Sequence, residues 1–169
     1  KFQAVMSLEI GGGNAIQPLM AAAHLGIPVV DADCMGRAFP EAQMTSFAIG
    51  DLQPWPLSLA DCRGEEAIVA RVTSWKWMER VSRKICVEVG SVASTCKAPR
   101  TGAEVKRWGI HHTTTKAIGI GRAVRAAQRR HDDPIAAILE HEGGLRIFAG
   151  KVSDVARRTT EGFLRGTAT

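Results

Sequence analysis

Glu9 to Glu41 reads EIGGGNAIQPLMAAAHLGIPVVDADCMGRAFPE, and this stretch decides the fold. A triple glycine, Gly11 to Gly13, opens a segment whose apolar residues Ile16, Leu19, Met20, Ala23 and Leu25 recur at helical spacing. Gly26 stops that helix, and Ile27-Pro28-Val29-Val30 restarts as a buried strand. Upstream, Phe2 to Ile10 is short, largely apolar and closed by glycine, as a strand is. Strand, helix and strand within about 30 residues predict a right-handed βαβ crossover with parallel strands. The second strand ends in Asp31-Ala32-Asp33, with Gly36-Arg37 just beyond. Open α/β sheets bind ligands at that end.

Further along, Met44 to Ile49 and Ala67 to Val72 have strand character, separated by a turn-rich segment holding Pro54, Pro56 and Gly64. Ser74 to Val89 predicts an amphipathic helix with Trp75, Met78, Ser82, Ile85 and Val89 inward. Thr113 to Arg130 predicts a second, capped by Ser/Thr-type residues, with Ile118, Ile120, Val124 and Ala127 inward. Pro134 to His141 predicts a third, opened by Asp133 and closed by Gly143-Gly144. Leu145 to Val155 and Thr159 to Thr169 read as strands. The fold class expected is α/β, α+β overall: a βαβ crossover with a mixed sheet and flanking helices, then the start of a mostly β domain. The division falls into an α/β domain over 1–143, carrying the site, and a β-rich domain beginning at 144 and cut off at 169.

A chain of 169 residues, 45% hydrophobic and 23% charged, is long enough for one well-buried core and has the composition of an ordinary soluble globular protein. No apolar run reaches the roughly 18 residues of a membrane span, and no secretory leader is visible. Cys34, Cys62, Cys86 and Cys96 form no CxxC pair and read as free thiols of a cytoplasmic protein. Residues 1–66 carry three basic side chains against eight acidic ones, whereas the remaining 103 carry 19 basic and nine acidic. Such a split suits an anionic ligand or nucleic acid. The Trp75-Lys76-Trp77 region nevertheless reads as a core-facing helix with a solvated basic face, which makes nucleic acid a distant expectation.

The candidate chemistry gathers at the strand end. Asp31 and Asp33 sit two apart on extended chain, so they are expected to share a face. Paired carboxylates bind a hard divalent cation or divide into a base and an acid; the plainer alternative is a turn cap and an ion pair with Arg37. Glu9 ends the neighbouring strand and reaches the same space. Gly11-Gly12-Gly13-Asn14 lets backbone approach a ligand and offers helix N–H groups to an oxyanion, or forms only a tight turn. It is not GxGxxG, so no nucleotide cofactor is expected. Arg37 suits a carboxylate, or pairs with Asp31, Asp33 or Glu41. His111 and His112 lack ligand spacing of their own but could complete a metal site with Asp31 and Asp33.

EIGGGNA, IPVVDADCMGRAFPE, the IGIGRA helix and FAGKVSDVARRTTEGFLRG resemble the S-methyl-thiohydantoin desulfurase family, which is found beside or fused to hydantoinase/oxoprolinase proteins. The resemblance runs over nearly the whole chain. Family members are about twice as long, which implies that this is the central portion of one. It also implies a hydrolase that removes sulfur or methanethiol from a thiohydantoin ring with activated water. Asp31, Asp33 and Glu9 would be catalytic, with a divalent metal as the cofactor to look for. Gly12, Gly13, Asn14, Gly36, Arg37 and Glu41 would bind substrate. A non-catalytic ligand-binding or accessory domain of a hydantoinase/oxoprolinase system is the rival reading. A hydantoin-like small molecule, a hydantoinase/oxoprolinase partner and a second copy of the chain in a homodimer are the expected partners.

Overall fold

The computed structural model describes residues 2–160 and 163–169. The chain is α+β, with helices and several antiparallel sheets. It divides into two compact units. One comprises Lys1–Pro40, Met44–Gly50 and Thr101–Ile147; the other comprises Glu41–Gln43, Asp51–Arg100 and Phe148–Thr169.

In the first unit, α1 (Gly12–Leu25) ends where Gly26 turns left-handed (φ 63°) and donates to the Ala22 carbonyl, a conformation that glycine adopts without steric cost. The predicted crossover survives in reduced form. Its flanking strands meet at a single parallel bridge, Val5 to Val29, held by Val5 N to Pro28 O (3.0 Å) and Val30 N to Val5 O (2.8 Å). The chain then enters β1 (Ala32–Asp33), which pairs antiparallel with β5 (Ile110–His111) in the register Ala32 to His111 and Asp33 to Ile110. Helix α1 buries only Ala22 and leaves Ile16, Leu19 and Met20 exposed, so its apolar stripe is not the inward face the spacing suggested.

Met44 to Ile49 is not a strand. Thr45 Oγ1 accepts from Ala48 N and caps the short helix α2 (Ser46–Ile49); a brief apolar run does not by itself separate strand from helix. Helix α4 (Gly102–Trp108) is unforeseen, although Thr101 and Glu104 form a reciprocal capping box visible as T-x-x-E. Helices α5 (Thr113–Arg130) and α6 (Pro134–Glu142) pack together close to their predicted limits.

In the second unit, β2 (Leu57–Ala60), β3 (Glu66–Val69) and β4 (Ser94–Cys96) form an antiparallel sheet in the order β3-β2-β4. Leu57 and Leu59 point inward while Ser58 faces out, which is the alternation of a half-buried strand. They meet Val69 and Met78, the latter from α3 (Trp75–Glu88). Trp75 is buried, but Trp77 lies on the exposed face beneath Arg80, 5.3 Å from its ring centroid. Strands β6 (Val155–Thr160) and β7 (Phe163–Ala168) form a hairpin. Leu145 to Asp154 carries no regular structure and exposes Leu145, Ile147 and Phe148, contrary to the strand expected there.

Candidate active site

The best-defined polar assembly lies in the first unit, around the β1–β5 pair. Asp33 is fully buried. Its Oδ2 accepts from Ile10 N and from Gly36 N, each at 2.8 Å, so one carboxylate oxygen ties the end of the first segment to the turn after β1. Gly36 makes that turn at φ 70°. Oδ1 of Asp33 is equally buried and has no hydrogen-bond partner among the described residues. A lone buried acceptor is costly, and such atoms in native proteins call for an explanation.

Glu9, nearly buried, works beside it. Oε1 accepts from Asn14 Nδ2, and Oε2 accepts from Phe39 N at 3.1 Å. Glu9 and Asp33 therefore both fasten the 33–39 loop against the 8–10 segment. Cys34 adds a third tie, its amide and Sγ both donating to Leu8 O. Gly11, Gly12 and Gly13 are exposed, and a methyl group at any of them would meet open space. Gly11, the N-cap of α1, supplies no capping side chain, and the first amides of a helix have no partner within it.

Asp31 turns to different partners. It lies just before β1, outside the extended register, so the alternation that would align it with Asp33 does not apply. Its carboxylate instead crosses to the start of α5. Thr115 N donates to Oδ1 at 3.0 Å and Thr115 Oγ1 donates to Oδ2 at 2.6 Å. Thr115 is the third residue of α5, and the N-cap residue, His112, supplies no capping side chain. Asp31 thus caps a helix 84 residues away, a task expected of local Ser/Thr residues. The Thr115 hydroxyl, then the Thr115 amide, hold the Asp31 carboxyl below its usual range against a smaller opposing push from burial, with help from His112 and the Thr114 amide. His112 Nδ1 lies 3.4 Å from Asp31 Oδ2, and the backbone is locked alongside by His112 N to Asp31 O at 2.8 Å.

The remaining candidates fall elsewhere. Arg37 is exposed, stacks 5.1 Å from the Phe39 ring centroid and makes no ion pair among the described residues. Glu41 belongs to the second unit, where it accepts from Gln43 Nε2. His111 Nε2 lies 3.3 Å from Val105 O. Among the described residues no three His, Cys, Asp or Glu side chains gather into a set able to hold a metal ion. Asp31 is committed to Thr115, and Asp33 faces amides, so Asp31, Asp33, His111 and His112 do not fit the shared ion suggested by their sequence. Thr115 was missed because nothing local marks it: its role comes from a partner 84 residues upstream. Thr113, the first residue of α5, is buried as well, and its Oγ1 has no hydrogen-bond partner among the described residues.

The fold and site define an α+β protein with three carboxylates at one junction, two of them buried and one capping a helix. The S-Me-THD-like N-terminal domain matches residues 1–71, and the S-Me-THD-like C-terminal domain matches residues 73–169. The chain belongs to the S-methyl-thiohydantoin desulfurase-like family. In fold it is similar to a protein from Chromobacterium violaceum with an X-ray crystal structure, at 23% identity and a TM-score of 0.74, covering 84% of this chain and 40% of that one. No curated protein matches. The two family domains meet between residues 71 and 73. No helix among the described residues is long and apolar enough to cross a membrane.

Proposed function

We propose that the chain takes part in hydrolysis of an S-methyl-thiohydantoin, replacing the sulfur on the carbon between the two ring nitrogens by oxygen from water. The observation that carries this is Asp33: a buried carboxylate with one oxygen fixed by two amides and the other unpartnered. A carboxylate held in that way is oriented before substrate arrives, and its free oxygen suits the proton of an attacking water. Asp31, whose charge is held by Thr115, positions the neighbouring chain, and Glu9 fixes the loop that carries Arg37. The amides at the start of α1 suit the negative charge that develops on the ring.

The exposure of Arg37 and closure of Asp33 also favour a second reading, in which the junction binds a hydantoin-like ligand for a hydantoinase/oxoprolinase partner without turning it over. Methanethiol release separates the two. Asp33→Asn keeps an oxygen for the Ile10 and Gly36 amides and is expected to lower release by about 10²-fold or more, the range for loss of a general base. Binding of the thiohydantoin without any release by the unaltered chain would establish the accessory role instead.

A further inference from the structure

We propose that His112 is the general acid of this site, its imidazole oriented by Asp31 so that Nε2 delivers a proton to the departing sulfur. This rests on the hydrolytic reading above and extends it. An alkanethiolate is a poor leaving group near neutral pH, since even the cysteine thiol has a pKa of about 8.5 and a simple alkanethiol is less acidic. Asp33 is fully buried, with Oδ2 held by the Ile10 and Gly36 amides, so it suits the proton of water and not that of the departing sulfur. A second, accessible group is needed for the sulfur, and the chain leaving the β1–β5 pair supplies one opposite Asp31: Asp33 opposes Ile110, Ala32 opposes His111, and His112 N donates to Asp31 O at 2.8 Å.

The geometry of His112 is that of an oriented imidazole. Nδ1 faces Asp31 Oδ2 at 3.4 Å, while the side chain is 84% exposed, which leaves Nε2 open to a substrate. At 3.4 Å the contact is longer than a fully formed N–H···O bond, and catalytic pairs of this kind tighten when substrate binds. Asp31 is itself pinned by both Thr115 bonds, so it presents a fixed charge to the ring. The backbone of His112 is left-handed, with φ 62°. That is uncommon for a residue with a side chain and is held here by bonds on both sides, His112 N to Asp31 O and Lys116 N to His112 O at 2.9 Å. The neighbouring ionisable groups are otherwise engaged. His111 lies edge-on with ring centroids 6.3 Å apart and its Nε2 toward Val105 O. The Lys116 ammonium pairs with Glu142 on α6 at 2.6 Å.

The proton count closes. Water oxygen bonds to the ring carbon as one of its protons passes to Asp33 and the C=N electrons move onto the ring nitrogen. Those electrons re-form C=N as the C–S bond breaks, and methanethiolate takes the Nε2 proton of the doubly protonated His112 ring, which is left neutral with its proton on Nδ1. The remaining O–H proton moves to nitrogen to give the hydantoin carbonyl; Asp33 then yields its proton to the water that replaces the product, and exposed His112 takes one back from solvent.

The test compares two substrates on the full chain, one losing methanethiol and one losing a nitrothiophenol, which departs without a proton. His112→Asn keeps the left-handed backbone, which Asn tolerates. It is expected to lower methanethiol release by about 10²-fold or more while leaving nitrothiophenol release within about threefold. An equal fall on both substrates, or no fall on either, overturns the proposal and leaves the hydrolytic reading standing. Absence of release from both substrates by the unaltered chain overturns the hydrolytic reading and this role with it. Nitrogen NMR of His112 adds a readout independent of turnover: the neutral ring should carry its proton on Nδ1, and Asp31→Ala should remove that bias. A ring protonated mainly on Nε2 in the unaltered chain would also overturn the proposal.

Discussion

Asp31 caps helix α5 through Thr115, accepting its amide at 3.0 Å and its hydroxyl at 2.6 Å across 84 residues of sequence. One side chain thereby joins the end of the N-terminal crossover to the longest helix of the chain. It supplies the partner that the first amides of α5 would otherwise lack.

Loss of that cap should be measurable. Asp31→Ala is expected to cost about 1 kcal/mol of stability, the typical value for a helix N-cap, read as a lower urea midpoint at unchanged slope. Thr115→Ala should cost less, because Asp31 would keep the amide. The double variant should fall short of the sum of the two singles, since both act on one interaction. Strict additivity would show that the pair is not coupled.

The same pair predicts a direction with pH. Thr115 holds the folded-state pKa of Asp31 below the ordinary 3.8. A depressed carboxylate adds stability that is fully present above the unfolded value and is lost as pH falls through the folded one. The stability gap between the unaltered chain and Asp31→Asn should therefore be constant above about pH 5 and shrink below about pH 4. Chemical denaturation at a series of pH values checks this, and a gap that widened on acidification would contradict it.

Asp33 is expected to be the most sensitive of the three carboxylates. Asp33→Ala leaves the Ile10 and Gly36 amides without their acceptor, at about 1–3 kcal/mol for each buried group left unpaired. Asp33→Asn should be milder because its oxygen can still accept. Thermal unfolding of the two variants should rank them in that order.

Gly109 joins α4 to β5 and so sets where His111 and His112 fall. A methyl group there would lie 2.6 Å from the Val105 carbonyl oxygen, which is backbone. Gly109→Ala should therefore cost about 1–3 kcal/mol, as overpacking does. Its backbone angles are ordinary (φ −70°, ψ 152°), so the cost comes from contact alone. Ala tolerated without loss in a calorimetric scan would mean that α4 can shift freely.

Calorimetric titration with Mg²⁺ or Zn²⁺ is expected to show no stoichiometric site dependent on Asp31, because that carboxylate is committed to Thr115. A one-to-one site abolished by Asp31→Asn would restore the metal expected from the Asp-Ala-Asp spacing.

Much of the local structure was legible in the sequence. Helical spacing marked α1, α3, α5 and α6, and Gly26 and Gly143 marked their ends, because cap chemistry and periodicity are properties of a few neighbouring residues. The capping box at Thr101 and Glu104 was equally available and went unread. The β2 strand was obscured by the turn-forming prolines before it, and α2 by an apolar run too short to show its period. Glu9, Asp31 and Asp33 stood out from their place at the ends of the crossover segments.

What the chain alone determined is the identity of the acidic residues and the backbone path that carries them to one junction. Which carboxylate is closed from solvent, which caps a helix and which fixes a loop was decided only by tertiary structure. Those roles depend on amides and hydroxyls at Ile10, Gly36, Phe39 and Thr115. All but Gly36 lie more than 20 residues from the carboxylate they meet. Hydrogen bonds between such distant groups leave no periodic or local mark, because the folded backbone, and not the sequence interval, sets the distance between donor and acceptor.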